Sequence, residues 1–130
     1  MGLAIAVDAN VILPALVGGA AAHVLFDPRY EFLTTEFTYQ EVRRYLPRLA
    51  KQANIPQPLV EQTLLLLPIR RISKKIYRSH LRQAKHLIAK RDPNDAELLA
   101  LALALHCPVL SHDKDFEGLP IQLVKIKDLF

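Results

Sequence analysis

Leu3-Ala4-Ile5-Ala6-Val7-Asp8 opens the chain with five apolar residues running straight into a carboxylate. A continuous apolar run of that length reads as a strand buried on both faces, as in a parallel sheet. An ionised acid at the end of such a strand is costly to hold unless a cation neutralises it. The pattern returns late, where Cys107-Pro108-Val109-Leu110-Ser111 leads to Asp113 and Asp115. Between the two, Asp92 and Asp95 open a helix that continues Ala96-Glu97-Leu98-Leu99 and on to Leu105. Ligands of open α/β sheets bind at the carboxyl ends of the strands. These separated acids therefore point to one hard-metal site assembled from distant parts of the chain.

At 130 residues the chain predicts one domain, 1–130, large enough to bury a core without staples. A hydrophobic content of 51% excludes a disordered chain. The single cysteine, Cys107, rules out an internal disulfide and fits a reducing interior. Lying between a helix and a strand, it reads as a small buried hydrophobe rather than a nucleophile. The longest greasy stretch, Val11 to Phe26, is broken by Pro14, Gly18, Gly19 and His23, so no segment spans a membrane. Met1-Gly2 does not read as a myristoylation signal, because Ala6 stands where Ser or Thr is expected. A cytoplasmic protein is expected.

The charge is unevenly spread. Thirteen of the 17 Lys and Arg lie between Arg43 and Arg91, where Glu61 is the one acid, so this stretch carries +12. The rest of the chain sets four cations against twelve acids, or −8. A basic middle beside an acidic pocket suits a polyanion steered to a metal centre. The bland reading is a set of solvated helix faces.

Strand and helix signals alternate, as expected for α/β with a mainly parallel sheet. Residues 3–8 read as a strand, with Asn10 as N-cap of a helix that Gly18-Gly19 interrupts. Residues 31–35 form a short strand. A helix follows over 36–53, in which Pro47 should produce a kink or restart. Pro56 and Pro58 introduce another helix, through Leu64–Leu67, and residues 69–72 suit a further strand. Tyr77 to Lys90 is amphipathic, with Leu81, Ala84, Leu87 and Ile88 on one face. Residues 93–106 form a helix apolar all round, and 108–111 and 121–125 close the sheet. The Leu64–Leu67 run exceeds what one amphipathic face needs, which favours self-association.

Asp8, Glu41, Asp92, Asp95, Asp113 and Asp115 are the acid candidates. Mg²⁺ and Mn²⁺ take oxygen ligands in octahedral geometry, and such ions can activate water against a phosphodiester. Each acid also has a bland reading. Asp92-Pro93-Asn94-Asp95 is a good helix start, Glu41 suits a helix surface, and Asp115 suits a turn. Asp8 resists such a reading, because capping rarely requires an acid after five apolar residues. Other chemistry fares worse. Ser111, His112 and Asp113 are adjacent and cannot converge as a triad, and no zinc spacing, P-loop or dinucleotide fingerprint is present.

Four patches resemble, in order, the PIN-domain ribonucleases. They are Val7-Asp8-Ala9-Asn10-Val11-Ile12, Tyr39-Gln40-Glu41-Val42, Asp92-Pro93-Asn94-Asp95 with Leu98-Leu99-Ala100-Leu101-Ala102, and Leu110-Ser111-His112-Asp113-Lys114-Asp115-Phe116. The resemblance spans the chain. It implies a Rossmann-like three-layer α/β/α sandwich, dependence on Mg²⁺ or Mn²⁺, and endonucleolytic cleavage of RNA. Many relatives are VapC-like toxins held inactive by an antitoxin protein, and relatives commonly form homodimers. Carried over by position, Asp8, Glu41, Asp95 and Asp113 match the acidic quartet. Asp8, Asp95 and Asp113 are the implied metal ligands, and Glu41 helps position the water. Asp92 matches an accessory acid, Ser111 a small hydroxyl residue beside the site, and Asn10 a polar neighbour of the first acid. Asp115 is kept as accessory. Glu97 is an added acid, expected to point off the pocket. Arg43, Arg44, Arg48 and Lys51 are the expected RNA-backbone contacts. Two alternatives stand beside this reading. One is a non-catalytic RNA-binding or scaffolding PIN module. The other is a haloacid-dehalogenase-like phosphatase, which wants a second Asp where Asn10 stands.

Overall fold

The computed structural model describes residues 2–89 and 91–130. Met1, and Lys90 of the basic stretch, lie outside the described residues. Five strands, β1 (Leu3–Val7), β2 (Tyr30–Thr35), β3 (Ile69–Ile72), β4 (Val109–Leu110) and β5 (Leu123–Val124), form one sheet in the order β3-β2-β1-β4-β5. Every pairing between them is parallel. The order reverses at β1, the first strand and the middle of the sheet. All five carboxyl ends therefore share one edge, with Asp8 at its centre.

Two apolar cores, one on each sheet face, make the α/β/α sandwich. Successive strand residues point to opposite faces. Ile5 and Val7 join the cluster that holds Val11, Ile12, Val24, Leu25, Val42, Leu46 and Leu64. Ala6 joins the other, with Tyr77, Leu81, Ile88, Leu98, Leu99 and Leu101. The first layer comprises α1 (Ala9–Ala15), α2 (Gly19–Leu25), α3 (Glu36–Ala53) and α4 (Gln57–Leu66). The second comprises α5 (Lys74–Tyr77), α6 (Leu81–Leu87) and α7 (Ala96–Leu105). In α7, Leu99, Ala100, Leu101 and Ala102 are wholly buried. The absence of a polar stripe there reflects a helix enclosed by the sheet on one side and α5–α6 on the other. Cys107 is buried and unpaired, as expected for a small core residue.

Several elements differ from the sequence reading. Asp8, not Asn10, caps α1, its Oδ1 accepting the Ala9 N–H at 2.7 Å, which frees the Asn10 side chain. Helix α3 runs unbroken through Pro47. Pro47 and Arg43 are both exposed, so the carbonyl that loses its proline partner faces water rather than core. The segment expected as one helix over 77–90 begins earlier, at Lys74, tightens into a 3-10 turn over Arg78–His80, and ends at Leu87. The first turn of the 93–106 helix is also 3-10, over Pro93–Asp95. The Asp92 side chain there accepts the Asn94 N–H at 3.0 Å and its carbonyl the Asp95 N–H at 3.1 Å, both pulling the turn tight.

Candidate metal centre

Asp8, Asp95 and Asp113 converge, each offering a carboxylate oxygen within 4.8 Å of the others. Three elements bring them together. Asp8 ends β1 and caps α1. Asp95 closes the 3-10 turn that leads into α7. Asp113 follows β4 and caps the turn Lys114–Phe116, its Oδ1 accepting the Asp115 N–H at 2.9 Å.

Ser111 links two of the acids. Its hydroxyl donates to Asp8 Oδ2 at 2.7 Å and accepts the Asp113 N–H at 2.9 Å. Asn10 Nδ2 donates to the same oxygen at 3.3 Å, and Asn10 Oδ1 accepts the His112 N–H at 3.2 Å. The hydroxyl's one proton and both lone pairs are thereby used. Beneath them, the buried Thr34 hydroxyl donates to the Val7 carbonyl at 2.9 Å and ties β2 to the end of β1.

Electrostatics mark the cluster as strained without a cation. Burial, then the charges of Asp8, Asp113 and Asp92, push the Asp95 carboxyl up to about 8. Burial also raises Asp8, although its bonds from Ser111 and Ala9 oppose the shift. Glu41 is half-buried and raised by burial first, then by the charges of Asp8 and Asp92, with Arg44 opposing. It faces the cluster electrostatically while standing outside the three oxygens that meet.

The residues fit a hard divalent ion. Asp95 Oδ2 is buried without a hydrogen-bond partner among the described residues, a costly state that a cation relieves. Octahedral Mg²⁺, with bonds of about 2.0–2.1 Å, needs its oxygens about 3 to 4 Å apart. The three carboxylates, with oxygens within 4.8 Å of one another, lie close to that spacing.

The remaining predicted residues divide clearly. Asn10 and Ser111 lie beside the triad, as expected. Asp92 is exposed and caps its own turn. Asp115 turns its Oδ2 to the Asp92 N–H at 3.4 Å, linking two loops rather than joining the triad. Glu97 points away, its Oε1 lying 3.7 Å from Lys74 Nζ. Arg43, Arg44, Arg48 and Lys51 all lie exposed on α3. That helix leaves the carboxyl edge at Glu36, so at 1.5 Å per residue Lys51 sits about 15 Å further along than Glu41.

Two residues escaped the sequence reading. Lys125 Nζ donates to the Ser111 carbonyl at 3.2 Å, a cation set beside the triad by the last strand. Arg91 Nη1 donates to the Asp115 and Glu117 carbonyls, fastening the 113–117 loop to the start of the Asp92 turn. A lysine closing the final strand was a weak signal for the first; nothing in the sequence signalled the second.

Fold and triad together define an α/β protein with a candidate divalent-metal centre at the carboxyl edge of a parallel sheet. A family model described as the PIN domain matches residues 6–127, and the chain belongs to that family. Among curated proteins none matches. Three solved structures share the fold. VapBC2 from Rickettsia felis bound to a promoter DNA fragment is 14% identical with a TM-score of 0.69, over 95% of this chain and 98% of that one. A toxin–antitoxin complex from Klebsiella pneumoniae is 20% identical with a TM-score of 0.69, over 94% and 97%. VapBC-1 from nontypeable Haemophilus influenzae is 18% identical with a TM-score of 0.63, over 96% and 99%.

Proposed function

We propose that this chain is a metal-dependent endoribonuclease acting as one domain in the cytoplasm, the toxin of a toxin–antitoxin pair. The observation that carries the reading is the meeting of Asp8, Asp95 and Asp113, with Asp95 Oδ2 buried and without a hydrogen-bond partner among the described residues. Such an arrangement is destabilising unless it serves a cation. Mg²⁺ or Mn²⁺ supplies an activated water and neutralises charge developing on the phosphate.

The protein's own groups do the rest. Asp8, Asp95 and Asp113 hold the ion, and Ser111 fixes Asp8 and Asp113 relative to each other. Glu41, whose carboxyl feels the charges of Asp8 and Asp92, helps position the attacking water. No covalent intermediate is needed, so no activated Ser, Cys or Lys is required. The departures of Asp92 and Asp115 from the triad make them loop-positioning residues. Arg44, one turn on from Glu41 and acting on its carboxyl, holds the RNA backbone more directly than Arg48 and Lys51, whereas Arg43 lies about 200° round α3, beside Leu46, Glu61 and Leu65.

The partner reading rests on two supports. The three similar structures are of toxin–antitoxin or VapBC systems. On this chain, Leu65 and Leu66 are 76% and 73% exposed on α4, an apolar patch suited to an antitoxin segment or a second copy in a homodimer. Expression in a bacterial host tests the toxin assignment. Wild type arrests growth, Asp8→Asn does not, and the product of the adjacent reading frame relieves the arrest. Full growth while folded wild type accumulates would exclude a toxin.

A further inference from the structure

On the β5 side of the triad, Ala20, His112, Lys125, Ile126, Lys127 and Phe130 line an open cleft of about 570 Å³. Two relationships set it beside the metal centre. His112 lies between Ser111 and Asp113 in the chain, with its N–H held by Asn10. Leu110 pairs with Val124, so Lys125 follows beside Ser111, where its ammonium donates to the Ser111 carbonyl. That bond uses one of three donors and leaves two. Lys127 is exposed nearby, while the neighbouring acid Asp128 is engaged, its Oδ2 accepting the Lys125 N–H at 2.8 Å.

Phe130 is the unexpected member. It is 66% exposed, yet its position is fixed. Leu129 before it is buried, and the Leu129 carbonyl accepts Arg29 Nη2 at 3.2 Å. The ring itself stacks on His23, with centroids 5.7 Å apart and planes 21° from parallel. An aromatic ring backed by another ring and lining a cleft beside two lysines has the composition of a single-stranded nucleic-acid subsite. Bases stack on the ring and ammonium groups take the phosphates. The cleft volume lies in the range of small-ligand sites.

We propose that this cleft seats the base of a nucleotide flanking the cleaved phosphate, with Phe130 as stacking platform and Lys125 and Lys127 on the adjoining phosphate. The proposal rests on the nuclease reading above and deepens it. In the basic middle of the chain the exposed Tyr45 ring already carries the Arg48 guanidinium, 5.2 Å from its centroid; this cleft, built from α2, the loop after β4 and the last residues, offers a second exposed ring. A purely apolar occupant, such as a partner protein's side chain, would use the ring and leave both lysines idle.

The test separates the subsite from catalysis. Without divalent metal, wild type, Phe130→Leu, Phe130→Trp and Lys127→Gln are titrated with nucleoside monophosphates, ribose phosphate and a short labelled single-stranded RNA. Wild type prefers nucleoside monophosphate to ribose phosphate. Phe130→Leu loses that preference and binds RNA about 10-fold more weakly, the scale of one stacked base. Phe130→Trp keeps both properties, and Lys127→Gln weakens both small ligands alike. Equal RNA binding by wild type and Phe130→Leu overturns the proposal, as does Phe130→Leu weakening only a protein partner. If wild type cleaves RNA with Mn²⁺ while Phe130→Leu binds normally, the subsite alone fails. If wild type neither binds nor cleaves RNA, the nuclease reading falls with it.

Discussion

The Ser111 hydroxyl stands between Asp8 and Asp113, donating to one carboxylate at 2.7 Å and accepting the backbone N–H of the other at 2.9 Å. A single oxygen just past the end of β4 thus sets the spacing of two acids more than a hundred residues apart in the chain. Groups that orient metal ligands typically contribute 10- to 100-fold in metal affinity. Ser111→Ala should therefore weaken Mn²⁺ binding about 10-fold while the protein remains folded. Titration calorimetry with circular dichroism checks both halves; unchanged affinity would reduce Ser111 to a packing residue.

The acidic cluster should make metal-free stability fall as pH rises. Asp95 titrates near 3.8 in the unfolded chain and near 8 in the fold, so the folded state holds its proton more tightly. Its contribution is fully present below 3.8 and is lost as pH climbs through about 8, with Asp8 and Glu41 shifted the same way. The metal-free melting temperature should decline across that window. Mn²⁺ should raise it most at the alkaline end, and Asp95→Asn should flatten the profile. A metal-free profile already flat in wild type would contradict the repulsion argued here.

The arginines of α3 should not act alike. Arg44 lies one turn from Glu41, Arg43 faces Glu61 and Leu65 on the other side of α3, and Arg48 and Lys51 are carried away by the helix rise. Removing Arg44 should lower the slope of log affinity against log salt by about 0.7 for the one lost contact with single-stranded RNA, and removing Arg43 should change it less. Removing Arg48 and Lys51 should change it less. The reverse order would move the RNA path to the far end of α3.

Leu65 and Leu66 offer a test of association. Both are exposed, while their neighbours Leu64 and Leu67 are buried, so acids at 65 and 66 reach water without disturbing the core. Leu65→Glu with Leu66→Glu should convert a dimer to a monomer in light scattering at an unchanged monomer fold. A wild type that is already monomeric at high concentration would remove this face from the dimer account.

Much of this molecule is legible in its residues because burial leaves few choices. Leu3–Val7 reads as a buried strand, and it is covered on both faces from Ile5 onward while Leu3 stays exposed at the sheet's amino edge; an acid placed after it needs a reason to be there. The apolar α7 likewise has nowhere to lie except between sheet and helices. Readings failed where neighbouring residues could do the same job. Asp8 and Asn10 are both good caps, and only the structure shows that Asp8 takes the role while Asn10 serves Ser111. Pro47 looked disruptive because sequence does not say which face of α3 it occupies. Asp92, Asp95, Asp113 and Asp115 form two similar pairs; the family pattern singles out Asp95 and Asp113, and the loop paths show what the other two do, with Asp92 capping its own turn and Asp115 reaching the Asp92 N–H. The cleft at Lys125 and Phe130 was hidden for another reason. Its members come from residues 20, 112, 125–127 and 130, brought together by the pairing of β4 with β5 and by the stacking of Phe130 on His23 of α2.

The most direct test of the central claim is Mn²⁺-dependent cleavage of structured and unstructured RNA by wild type, Asp8→Asn and Asp113→Asn, each purified identically. Loss of one preorganised electrostatic group typically costs about 10²- to 10³-fold in rate. Wild type should cleave only with metal present, and each variant should fall by about 10²-fold or more with RNA binding retained. Equal cleavage by all three would assign the activity to a contaminant. Binding by all three without cleavage of any RNA would make this chain an RNA-binding scaffold rather than a nuclease.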